Sequence, residues 1–211
     1  MFGIHDFPLF LATGILLNLT PGPDTVYILG RSMAQGRRAG VASALGISVG
    51  SIFHTVAAAL GLSAFLATSA FAFSILKLIG GAYLIFLGIR MFVQRKQHWD
   101  SADLFRGNGD PFIAFRQGIL TNVLNPKVAL FFLAFLPQFI DAGTSSKITA
   151  FLLLGLTFVT TGTIWCLMLA WLAAAFSTRL RGNIGIASIL NRVVGSLFVF
   201  LGLRLALAAR R

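Results

Sequence analysis

Gly14-Ile15-Leu16-Leu17-Asn18-Leu19-Thr20-Pro21-Gly22-Pro23-Asp24 reads as an apolar helix that meets an Asn, breaks at Pro-Gly-Pro and resumes after one charged residue. Gly118-Ile119-Leu120-Thr121-Asn122-Val123-Leu124-Asn125-Pro126-Lys127 repeats that plan 104 residues later. Pro lacks a backbone donor and clashes with the preceding turn, so each stretch is predicted to unwind locally. Apolar segments interrupted by Pro and Gly at matching positions of two halves are the sequence mark of a carrier's binding site.

The surrounding sequence is that of a membrane protein. Of 211 residues, 57% are hydrophobic and 11% charged, where a soluble domain carries about 25% charged residues. Mean hydropathy is +0.87. Four runs predict unbroken spans: Ala39–Leu66, Ala70–Val93, Ile148–Phe176 and Ala187–Ala208. The broken segments, Asp6–Ala34 and Pro111–Ile140, bring the number to six. As continuous helix each would measure about 43 Å, against a hydrocarbon core of about 30 Å. Tilt or partial unwinding takes up the excess.

The duplication extends beyond the breaks. Ile75–Arg90 aligns with Ile189–Arg204, matching Gly81 to Gly195, Phe86 to Phe200, Gly88 to Gly202 and Arg90 to Arg204. Gly50-Ser51-Ile52-Phe53 loosely resembles Gly162-Thr163-Ile164-Trp165. The expected fold is therefore an all-α integral membrane protein of six transmembrane helices. They form two inverted three-helix repeats, residues 1–93 and 111–211, joined by a cytoplasmic linker at 94–110. Helices 1 and 4 are expected to be broken at the midplane. An odd number of spans per repeat turns the second copy upside down, the arrangement that alternating-access carriers use.

A net charge of +11 raises the question of a nucleic-acid partner, and the positions of the charges answer it. Arg31, Arg37, Arg38, Arg95, Lys96, Arg106, Arg179 and Arg181 all fall in connections on one side of a six-span chain. An excess of Lys and Arg in short loops marks the cytoplasmic face. The charge then sets orientation and no nucleic acid is implied. The partner is the lipid bilayer, in a bacterial plasma (inner) membrane, with both termini outside or periplasmic. No Lys or Arg precedes the first apolar run, so no cleavable signal peptide is expected. The single Cys166 excludes disulfides and cysteine-cluster metal sites, and reads as a small packing residue. No cofactor or metal is expected, and homo-oligomerisation is left open.

The chemistry is expected at the breaks. Both lie near the bilayer midplane, where unpaired backbone is tolerated only if it lines a cavity or packs on protein. Pro23 and Pro126 each suit the first turn of a new half-helix, whose free N–H groups favour an anion. Asp24 and Lys127 each cost about 2.5–3.5 kcal/mol at that depth, and intramembrane charges mark functional sites by default. Together they match a zwitterion, with Asp24 on the amine and Lys127 or the helix starts on the carboxylate. The alternative is that they form a fixed ion pair, or cap the half-helices, and never touch substrate. Asn18, Thr20, Pro21, Gly22, Asn122 and Asn125 complete the predicted binding set. His54, in the second span, and Asp24 are the candidates for proton coupling; for His54 a packing role competes.

The whole chain resembles the LysE family of amino-acid exporters, in its homoserine/threonine (RhtB-like) branch. The resemblance is carried by Asn18-Leu19-Thr20-Pro21-Gly22-Pro23-Asp24, by Asn125-Pro126-Lys127, and by His54-Thr55-Val56-Ala57-Ala58-Ala59-Leu60-Gly61-Leu62-Ser63. The family's first motif usually reads Asn-Pro-Gly-Pro after one variable residue; here Leu19-Thr20 precede Pro21. The resemblance implies export of a small amino acid or derivative by proton antiport, with no enzymatic activity. Two other transport readings stand beside it, a divalent-cation exporter and a passive small-solute channel. The first would call for a cluster of intramembrane carboxylates, and Asp24 is the only acidic residue deep in a span.

Overall fold

The structure is a computed structural model. It describes residues 2–62, 109–141 and 143–175, together with the isolated helical positions 82, 85, 86, 89, 196, 199 and 203. The predicted third and sixth spans, the aligned Ile75–Arg90 and Ile189–Arg204, and nearly all of the 94–110 linker lie outside the described residues.

The described chain is helical. α1 (Phe7–Leu19) stops because Thr20 precedes a proline, which pushes it into extended backbone at φ −68°, ψ 124°. Pro21 and Gly22 continue the break, and α2 (Pro23–Gln35) opens on Pro23. Gly36, at φ +81°, turns the chain sharply into the next helix, a conformation that glycine adopts without strain. α3 (Arg37–Ala57) continues through a π-helical turn at Ala58–Leu62, making a largely apolar run of 26 residues, about 39 Å of helix.

The second broken segment copies the first. α4 (Pro111–Val123) starts behind Asp110, whose side chain accepts from the Phe112 amide at 2.9 Å. It ends before Leu124-Asn125, and α5 (Pro126–Leu130) opens on Pro126. α5 runs on through a π turn (Phe131–Phe135) and a tight turn (Leu136–Phe139), and the axis bends by 46° at the break. α6 (Lys147–Ala175) is a single 29-residue apolar helix.

α3 with its π turn and α6 are each long and apolar enough to cross a membrane, and the pair α4–α5 is so when taken as one span. Their outward faces carry exposed Val49, Ile52, Phe53, Leu120, Ile164 and Met168, side chains suited to lipid. α3 and α4 pack backbone to backbone. A Cβ on Gly118 would lie 2.6 Å from the Ser43 carbonyl oxygen, and one on Gly50 would lie 2.7 Å from Asn122 Cβ. Glycines that let helices touch in this way replace the hydrophobic drive that lipid removes.

Two apolar clusters flank the breaks. One is aromatic, built on Phe10, Phe131, Phe132, Phe135, Phe139 and Phe158, with Phe131 and Phe158 stacked at 4.4 Å between centroids. The N-terminal segment closes over it, Ile4 pairing with Ile140 while His5 N donates to Phe139 O at 3.0 Å. The other cluster joins Tyr27, Ile28, Ala44, Ile47 and Ala170.

Candidate functional site

A broken helix exposes two opposite partial charges at one place: the carbonyl end of the first half and the amide end of the second. In the first segment each is met by a charged side chain. Asp24 is the second residue of α2, whose N-cap Gly22 supplies no side-chain hydrogen bond, so the carboxylate sits at the positive end of its own half-helix. Lys127 is the second residue of α5, where a cation is unfavourable on its own helix. Its ammonium crosses instead to the end of α1, donating to Thr20 O at 3.0 Å and Leu17 O at 3.3 Å. Among the described residues no contact ion pair joins Asp24 to Lys127.

Asn122 organises the other side of Asp24. It is 1% exposed and donates through Nδ2 to Asp24 Oδ2 at 2.8 Å, while its Oδ1 accepts from Ser51 on α3 at 3.2 Å. Its carbonyl oxygen lies 3.2 Å from His54 Nε2, and with a carbonyl as partner Nε2 carries the hydrogen. The His54 ring stacks on Phe132, 5.8 Å between centroids. His54 and Asp24 are thus joined through one residue, although His54 itself is not on the cavity wall. Asp24 Oδ1 has no hydrogen-bond partner among the described residues. Asn125, also 1% exposed, faces the same carboxylate.

Asn18 plays the reciprocal part. At the end of α1 it donates to Thr161 Oγ1 at 3.2 Å and Phe158 O at 3.4 Å on α6, with its amide against Gly162. The Asn that ends each broken helix therefore packs against the sequence-matched glycine of the opposite half, Asn18 on Gly162 and Asn122 on Gly50.

These residues surround a cavity of about 30 Å³, room for about two water molecules. An amino acid needs the walls to part. Of the predicted set, Asn18, Asp24, Asn122 and Lys127 line it. Thr20, Pro21, Gly22, Pro23, Asn125 and Pro126 shape the breaks behind it. Thr25, Ser48, Ser51, Thr163 and Cys166 line it as well, and none was in that set. Ser51 and Thr163 are the matched positions of the faint second-helix repeat, the one signal that could have found them.

Two expectations change and a third widens. The α5 start is not open to an anion, because Asn125 Oδ1 already accepts the Lys127 amide at 3.0 Å; of the two half-helix starts at the breaks, α2 alone is without a side-chain cap. Cys166 packs against the Tyr27 cluster, as expected, and also lines the cavity. Arg31, read as a loop charge, is 5% exposed. Its helix runs on to Gln35, which turns Arg31 toward α4, where it donates to Gln117; it also donates to Gln35 Oε1 at 2.5 Å and lies over the Tyr27 ring.

A family model for LysE type translocators matches residues 15–209. A homoserine/homoserine lactone efflux protein of Salmonella typhimurium is 34% identical over 209 residues, 94% of this chain and 95% of that protein. An uncharacterized membrane protein of Vibrio cholerae is 33% identical over 205 residues, covering 97% and 98%. A leucine efflux protein of Enterobacter sp. is 28% identical over 206 residues, covering 97% of each. No solved structure matches significantly.

Proposed function

The chain belongs to the LysE type translocator family, and from that premise we propose that it exports a small amino acid or amino-acid derivative from the bacterial cytoplasm by proton antiport. The relatives named for homoserine, homoserine lactone and leucine efflux support the substrate class. The observation that carries the reading is Asp24: a buried carboxylate at a helix break, on the wall of a cavity it shares with Lys127, with one oxygen unpartnered among the described residues.

The substrate ammonium takes Asp24 Oδ1. Its carboxylate turns to the Asp24 and Thr25 amides at the uncapped α2 start. A carboxylate that binds either a proton or the substrate ammonium, and not both at once, exchanges one for the other. His54, linked to Asp24 through Asn122, is the second proton-coupling candidate. A proton moving down about 100 mV releases about 2.3 kcal/mol, and a tenfold proton gradient adds about 1.4 kcal/mol, which together exceed the cost of about 2.7 kcal/mol for a hundredfold gradient of a zwitterion.

The reciprocal packing of Asn18 on Gly162 and Asn122 on Gly50 supports two inverted repeats, 1–93 and 111–211, in six spans with the breaks at the midplane. On this topology both termini face the periplasm, and the cavity opens alternately to each side.

The test is counterflow in proteoliposomes loaded with unlabelled amino acids, following labelled homoserine, threonine, leucine and lysine with and without a pH gradient. Saturable, uphill uptake of one class that responds to the gradient is expected. Downhill flux alone would indicate a channel, and no exchange by folded protein would refute the reading.

A further inference from the structure

Lys127 turns away from its own half-helix to the end of another. Leu17 O, in the last turn of α1, and Thr20 O, on its C-cap, are the oxygens it holds, at a helix end where carbonyls run short of helical partners. The cradle is built for the amine. Gly22 has no side chain, and a Cβ there would stand 3.1 Å from Nζ and 3.4 Å from Cε. Thr20 turns its hydroxyl back on Leu16 O at 2.7 Å, and the ammonium takes Thr20 O and shares Leu17 O with the Thr20 amide. In broken-helix carriers the unwound carbonyls and half-helix C-terminal ends hold a coupling cation, while half-helix N-termini hold the anionic group of the substrate. Here the cation position has a covalently attached occupant. The ionisable groups around it are Asp24 on α2 and Cys166 on α6, which share its cavity wall, with His54 on α3 one residue further out.

We propose that the carbonyl cradle at the C-terminal end of α1 is a monovalent-cation site, and that the Lys127 ammonium is its tethered occupant. The carrier then brings its own cation and takes no sodium there. This rests on the transport reading above and deepens it. Lys127 belongs to α1 rather than to the substrate, and the substrate carboxylate is left to the α2 amides.

The test needs no transport, so its failure is distinct from failure of that reading. Thermal unfolding of the purified protein is followed by tryptophan fluorescence for wild type and Lys127→Ala, with methylammonium, tetramethylammonium or sodium added. Lys127→Ala is expected to melt below wild type and to recover saturably with methylammonium, by roughly 2–4 °C. Tetramethylammonium, which cannot donate a hydrogen bond, has no effect on it, and wild type ignores all three cations. An unresponsive Lys127→Ala, or an equal response in wild type, overturns the proposal. If Lys127→Ala does not fold, Gly22→Val serves. Gly22 is extended at φ −160°, so a β-branched residue suits the backbone, and its side chain displaces the amine. A lower melting midpoint is expected, and an unchanged one overturns the proposal.

Discussion

Asp24 and Lys127 stand in the same register, one residue after the Pro that opens each half-helix, and opposite charge sends them to opposite helix ends. An Asp is favourable at an N-terminus and a Lys is not, so Asp24 stays home while Lys127 crosses to α1. They share a wall without a contact ion pair, which gives the double variant a clear expectation. Asp24→Asn/Lys127→Gln should exchange amino acids no better than either single variant, because two separate helix ends lose their charges. Recovery in proteoliposome exchange would show the pair to be a simple salt bridge. Asn122 is the other sensitive residue, since Asn122→Leu strands Asp24 Oδ2 and the Ser51 hydroxyl together. A loss of about 1–3 kcal/mol is expected for such a stranded buried group, seen as a lower melting midpoint than that of Ser51→Ala. Both charges and both Asn residues were legible as single polar letters in apolar runs. Which helix end each charge serves was not, because that depends on how the two broken segments cross.

Both broken segments were readable because Pro acts locally: it removes a donor and restricts the residue before it, whatever packs around it. The walls from α3 and α6 were not. Ser48 lies within Gly46-Ile47-Ser48-Val49-Gly50, a small-residue face that reads as packing, and it is packing for Gly46 and Gly50. Ser48 lies two residues from each, on another side of the same helix, and faces the cavity, where Thr163 donates to it at 2.8 Å. Helical phase decides such a case, and phase is set by the neighbouring helix. The α3–α4 contact makes its own prediction. Gly118→Ala puts a methyl against the Ser43 carbonyl, a backbone atom that cannot swing aside, and is expected to cost about 1–3 kcal/mol. Gly61→Ala, with nothing within 4 Å, should leave the melting midpoint unchanged. Equal effects of the two would argue against close α3–α4 packing.

At the scale of the molecule, the cavity lies between the aromatic cluster around Phe131 and the cluster around Tyr27, beyond which Arg31 ties α2 to Gln117 on α4. Its size fits waters and excludes an amino acid, so substrate enters only when one side loosens. A membrane protein of helices was evident from composition alone, and orientation rested on loop charges. Arg31 shows the weakness of that count, since a buried Arg at a helix end is indistinguishable in sequence from a loop one. On the proposed mechanism Asp24 receives the substrate's ammonium. The most direct measurement is equilibrium binding of labelled homoserine, leucine and threonine to purified wild type and Asp24→Asn, with the N-acetylated amino acids as competitors. Wild type should bind at least one of them saturably, with competition from the free amino acid and none from its N-acetyl form, and Asp24→Asn should lose at least about 1.4 kcal/mol, a tenfold weakening. Undiminished binding by Asp24→Asn, or equal competition by the N-acetyl form, would contradict the account.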